Sequence, residues 1–113
     1  MSFISALFGL KSQQNEAIKV LSSEAFKTQI ENKKVQLVDV RTPREYISGH
    51  LKGAKNIDVF SSSFNTEFNK LNKEKAVYLY CRSGSRSRQS ANKLAVMGFT
   101  EIYDLKGGIL RYR

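Results

Sequence analysis

Residues 76–87 run Ala76-Val77-Tyr78-Leu79-Tyr80-Cys81-Arg82-Ser83-Gly84-Ser85-Arg86-Ser87. The first five are apolar and aromatic, and so short a run reads as a buried strand rather than a helix. A brief loop of Ser, Gly and Arg follows. Then Ala91, Leu94, Ala95 and Met97 set a helical period that Gly98 ends. Outward from this unit the same alternation repeats. On the C-terminal side, Glu101 to Leu105 reads as a strand, Lys106-Gly107-Gly108 as a turn and Ile109 to Arg113 as a terminal helix. On the N-terminal side, Val35 to Val40 is a β-branched, buried strand and Ala54 to Ile57 a shorter one, with a helix expected around Thr66 to Leu71. Thr42-Pro43-Arg44-Glu45 has the form of a capping box with Pro at the first helical position, and that helix stops at Gly49. An earlier helix starts at Ser22, with Leu21 and Phe26 as a hydrophobic staple, and runs to about Asn32. Strands separated by helices imply right-handed crossovers, a parallel sheet and helices on both faces. No internal repeat is visible.

The chain has 113 residues, enough for one domain with one core. Hydrophobic residues make up 41% and charged residues 26%, a balance that excludes disordered, collagen-like and coiled-coil classes. One cysteine rules out a disulfide framework, and one Cys with one His cannot close a Cys/His zinc site, so neither metal nor cofactor is expected. The cysteine usage fits a reducing compartment, and the cytoplasm is the expected location. No apolar run approaches the roughly 20 residues of a membrane span. Met1 to Leu10 is apolar-rich without a basic flank, so it reads as a frayed or locally packed terminus, ahead of a short docking or membrane-surface helix, rather than a signal peptide. Residues 1–17 are a lead-in and 18–113 the domain. The net charge of +9 favours anionic partners, although its lysines are scattered and solubility alone explains such a surface equally well. Aromatic residues do not interleave with basic clusters, so nucleic-acid binding is not expected.

Cys81 sits where such a sheet binds ligands, beyond the carboxyl end of a strand and before a helix N-terminus. Backbone N–H groups in a loop like 82–86 can converge into an anion-binding nest, and the helix adds its positive end. Gly84 allows a positive φ or a close backbone approach. With Arg82, Arg86 and Arg88 nearby, these features favour a thiolate, giving a partly exposed nucleophile cradled by amides. The bland alternative is a buried, inert cysteine closing a strand. Two chemistries suit the cradle: phosphoryl transfer through a phosphocysteine, and sulfur transfer through a persulfide. The ring of amides must match the group it encloses. Cysteine phosphatases use C-x5-R, usually after His; this chain has C-x4-R after Tyr80.

At this point the chain resembles the rhodanese-like sulfurtransferases, over about residues 18–113. Leu37 to Tyr46, Gly49 to Ile57, the loop Tyr80 to Ser87, and Gly98-Phe99 with Leu105 to Ile109 are similar to four family signatures in order. The resemblance implies a single rhodanese-like α/β domain with a central five-stranded parallel sheet. It implies that Cys81 takes sulfane sulfur from a small anionic donor such as thiosulfate and passes it to a thiol or protein acceptor. Residues Arg82, Ser83, Gly84, Ser85 and Arg86 would bind the donor and cradle the sulfur, with Asp39 and Arg41 as support near the loop. Family members often carry Trp after the double glycine; here Tyr112 stands in, expected as an aromatic lid. Among the other candidates, His50 reads as a packing or hydrogen-bonding residue, Glu45 as a capping carboxylate and Lys106 as a solvated lysine. The competing functions are a cysteine phosphatase and a non-catalytic module that binds a partner protein.

Overall fold

The computed structural model describes residues 16–112. Its strands are β1 (Ile18–Leu21), β2 (Gln36–Asp39), β3 (Lys55–Asn56), β4 (Val77–Tyr80) and β5 (Ile102–Leu105). Its helices are α1 (Ser23–Ile30), α2 (Pro43–Ile47), α3 (Phe64–Phe68) and α4 (Ser85–Val96), followed by a 3-10 turn over Ile109–Arg111. The strands form one parallel sheet in the order β1-β5-β4-β2-β3. Both sheet faces are covered, which is why β4 reads as an unbroken apolar run. Val77, Leu79 and Cys81 face one core with Phe64 and Phe68 of α3, Ala91 and Leu94 of α4, and Phe99. Tyr78 and Tyr80 face the other, with Phe26 and Ile30 of α1, and with Tyr46, Ile109 and Tyr112 against it. Phe26 and Leu94 are wholly buried, each stabilising the fold by roughly 1.5–3 kcal/mol.

The local signals for caps hold. Ser22 accepts a hydrogen bond from the Ala25 N–H, and Thr42 with Glu45 forms a complete capping box around Pro43. Four elements differ from expectation. The fifth strand, which the residue pattern did not locate, is β1; it lies at the sheet edge, where Lys19 and Val20 are exposed and no apolar alternation marks it. The helix from Ser22 ends at Ile30 because Asn32 turns to a left-handed φ of 57°. The helix expected at Thr66 to Leu71 lies earlier, over Phe64–Phe68, because that phase sets both rings in the core with centroids 4.6 Å apart. The terminal segment is a 3-10 turn rather than a longer helix, and Tyr112 packs edge-on against Phe26. The apolar segment Met1 to Leu10, and with it the docking-helix reading, lies outside the described residues. No helix among the described residues is long and apolar enough to cross a membrane.

Candidate active site

The β4–α4 connection is built from the sheet upward. The Val40 N–H donates to the Tyr80 carbonyl at 3.0 Å, and the Tyr80 hydroxyl accepts from the Leu51 N–H at 3.0 Å. Tyr80 is therefore a buried structural tie, and burial raises its phenol well above the ordinary range. Cys81 follows at the strand's end. Its Sγ accepts a hydrogen bond from the Gly84 N–H at 3.0 Å and lies 3.4 Å from Ser87 Oγ. Gly84 has φ +113°, a conformation that brings the chain back over the sulfur and starts α4. The amides of Ser83, Ser85 and Arg86 have no hydrogen-bond partner among the described residues, so the loop presents several N–H donors at a helix N-terminus.

The loop is braced from behind. The Cys81 carbonyl accepts from the Ile109 N–H at 2.9 Å and the Arg82 carbonyl from the Leu110 N–H at 3.2 Å. Gly108 lies so close that a Cβ there would meet the Arg82 carbonyl oxygen at 2.3 Å and the Ser83 nitrogen at 2.6 Å. A cleft of about 310 Å³ opens beside the loop, lined by Ser83, Gly84, Ser85, Arg88, Asp104 and Lys106 among others.

Two expectations about this loop need correction. Cys81 is not partly exposed: it is fully buried, because its side chain points under the loop into the α4-side core. The arginines do not act as a set. Arg86 makes a two-pronged ion pair with Glu45, at 2.7 and 2.9 Å, across 41 residues of sequence. Arg88 pairs with Asp104 at 3.3 Å. Arg82 is exposed and has no side-chain partner among the described residues. Glu45 therefore does two jobs, capping α2 and holding Arg86. Those bonds, the Arg86 guanidinium first, pull its carboxyl down to about 2.

Asp39 and Arg41 form a buried pair beside β4. Arg41 donates to both Asp39 oxygens at 2.7–3.0 Å and to the Gly49 carbonyl at 2.6 Å, while Asn56 bridges the Asp39 and Arg41 carbonyls at 2.9 Å. This network fixes the β2–α2 turn that carries Glu45. His50 is exposed, stacks on Tyr46 at 3.7 Å and donates from Nδ1 to the Tyr46 carbonyl, as a hydrogen-bonding residue does. Lys106 is solvated at the cleft rim. Sequence reading missed Ser87, Asp104 and Gly108. Ser87 is wholly buried, and its Oγ lies 2.5 Å from Asp104 Oδ1. A polar residue in the middle of an otherwise apolar strand, as Asp104 is in Ile102–Leu105, was the available signal.

Comparison with known proteins agrees with this architecture. The family model for the rhodanese-like domain matches residues 22–113. The chain is 38% identical over 111 residues to the uncharacterized protein YqhL of Bacillus subtilis (strain 168), covering 98% of this chain and 85% of that protein. It is 33% identical over 102 residues to the tRNA uridine(34) hydroxylase of Pelagibacter ubique (strain HTCC1062), covering 89% of this chain but only 34% of that protein. The crystal structure of a rhodanese-like domain protein from Staphylococcus aureus superposes with a TM-score of 0.73 at 29% identity, covering 84% of this chain and 91% of that one. With the sheet order, the strand-end cysteine and the glycine-braced loop, these matches establish that the chain belongs to the rhodanese-like domain family.

Proposed function

We propose that the protein is a sulfurtransferase or persulfide carrier working through Cys81. The observation that carries this reading is the Gly84 N–H directed at Cys81 Sγ within a loop braced by Gly108. Donors aimed at sulfur from a helix N-terminus favour negative charge there. The thiolate attacks the outer sulfur of a donor such as thiosulfate. A sulfur–sulfur bond forms to Cys81 as the donor's own breaks, and sulfite leaves with the electron pair. The new terminal sulfur carries the charge, and the amides of residues 82–86 receive it. Cys81 is buried, and the adjoining cleft lined by Ser83, Gly84 and Ser85 is the side from which a donor approaches. Arg82 supplies positive charge for an anionic donor. The chain has no second cysteine, so a partner thiol or small acceptor collects the sulfur rather than an internal disulfide. A reducing compartment such as the cytoplasm suits that chemistry.

The braced loop also weighs against the phosphatase alternative. A ring of amides around phosphate needs more width, and the backbone of Arg82 and Ser83 has Gly108 directly behind it. That chemistry also needs an arginine on the phosphate, and Arg86 is committed to Glu45. The test is intact mass after incubation with thiosulfate and removal of excess. We expect a gain of one sulfur atom, absent in Cys81→Ala and removed by cyanide as thiocyanate. No adduct with thiosulfate or with alternative persulfide donors refutes the proposal. Cys81-dependent hydrolysis of an aryl phosphate in its place supports the phosphatase.

A further inference from the structure

Behind the sulfur lies a polar chain that the proposed transfer does not use. The Cys81 S–H donates to Ser87 Oγ at 3.4 Å, and the Ser87 O–H donates to Asp104 Oδ1 at 2.5 Å. All three residues are at most 1% exposed. Ser87 Oγ also lies 3.2 Å from the Gly84 carbonyl, but its one proton goes to the nearer carboxylate. Asp104 lies on β5, with β1 on one side and β4 on the other, so its reach to α4 is fixed by the sheet register.

We propose that Ser87 and Asp104 form a buried proton relay that sets the ionisation of Cys81, with Asp104 a positioning residue acting through Ser87. The inference rests on Cys81 being the nucleophile and deepens that reading. The step balances within the cluster. The Cys81 proton moves to Ser87 Oγ as the Ser87 proton moves to Asp104 Oδ1. A thiol and a carboxylate become a thiolate and a carboxylic acid. One negative charge is present before and after, nothing is oxidised, and no proton crosses to solvent. A burial-driven process gains from this, because charging the sulfur alone would add a second buried anion.

The surrounding charges fit. Burial raises the Asp104 carboxyl above its usual range, against lowering by its bonds to Ser87 and Arg88. On the α4 side, the Arg88 side chain is 58% exposed and its hold on the second Asp104 oxygen is screened by water. Arg86 lies close enough to Cys81 to feel its charge, while paired to Glu45 of α2. Lys106, beyond the end of β5, shares the cleft with Asp104. No titratable side chain of β1 or β4 makes a hydrogen bond or ion pair to Asp104 among the described residues.

The test is the rate of Cys81 alkylation by iodoacetamide between pH 4 and 10, on the full chain and without any sulfur donor. Two groups sharing one proton give two macroscopic steps. We expect the wild type to alkylate in two steps separated by a plateau. In Asp104→Asn and Ser87→Ala, checked as folded by near-UV circular dichroism, the steps merge into one. Ser87→Thr, which keeps the hydroxyl, restores the two steps. A single step in the wild type, or wild-type profiles in both Asp104→Asn and Ser87→Ala, overturns the relay. If Asp104→Asn does not fold, the wild type and Ser87→Ala decide. Alkylation needs no persulfide, so a two-step profile in a protein that takes sulfur from no donor refutes the sulfurtransferase reading and leaves the relay standing.

Discussion

Glu45→Gln isolates the contribution of the ion pair that ties the cysteine loop to α2. Gln keeps the side-chain length and its capping bond to Thr42, so the change removes charge and the fork to Arg86 while leaving the helix start intact. In the folded protein the Glu45 carboxyl is lowered from 4.5 to about 2. At 1.36 kcal/mol per unit, this drop sets a ceiling of about 3 kcal/mol. The two side chains keep 21% and 27% exposure, so water screens part of that, and we expect a loss of roughly 1–2 kcal/mol at pH 7. The pH dependence has a definite sign. The folded carboxyl is the stronger acid, so as pH falls the unfolded chain takes the proton first. The wild-type contribution is complete above about 4.5 and is lost as pH falls towards about 2. Urea unfolding followed by circular dichroism should separate the two proteins by roughly 1 M in midpoint at pH 7, narrowing to nothing near pH 2. Equal midpoints at pH 7, or a gap that persists unchanged at pH 2, would refute the assignment of Glu45's acidity to Arg86.

Two further outcomes are expected. Gly108→Ala puts a methyl against the Arg82 carbonyl at φ +66° and should cost about 3 kcal/mol or more in thermal unfolding. Gly53→Ala, at φ +84° with open space around it, should cost only about 1–2 kcal/mol; similar losses at the two sites would show that the loop is not braced by Gly108. Asp39→Ala strands the Arg41 charge in a side chain only 7% exposed and should cost about 3–5 kcal/mol. Asp39→Ala combined with Arg41→Met should recover part of that, and a double variant less stable than the single would contradict the pairing.

What the sequence made legible was local. Thr42-Pro43-Arg44-Glu45 announces a helix start because the capping bonds join residues three apart. The strand-end position of Cys81 follows from a short apolar run meeting a polar loop. What stayed hidden depends on pairs far apart in the chain. Glu45 has a complete local explanation as a cap, and nothing in its neighbourhood announces Arg86. Ser87 and Asp104 meet only once α4 is laid across β5. The burial of Cys81 was misjudged because loop composition reports polarity, whereas the side chain faces the core under that loop. β1 escaped notice because an edge strand with two exposed residues in four has no hydrophobic rhythm, and its pairing to β5 spans most of the chain.

That pairing also governs when the site comes into existence during synthesis. Leu21 stands opposite Leu105, and the Cys81 and Arg82 carbonyls are held by the amides of Ile109 and Leu110. At ~5–20 residues per second, the ribosome needs roughly 4–17 seconds between making the first strand and making the last. During that interval β1 has no sheet to join and the cysteine loop has nothing behind it. The thiol is exposed as an ordinary side chain of an unfinished polypeptide, without the amide cradle, and gains its special surroundings only after residue 110 has left the ribosome. The surroundings of Cys81 are thus assembled only once the first and last strands lie side by side.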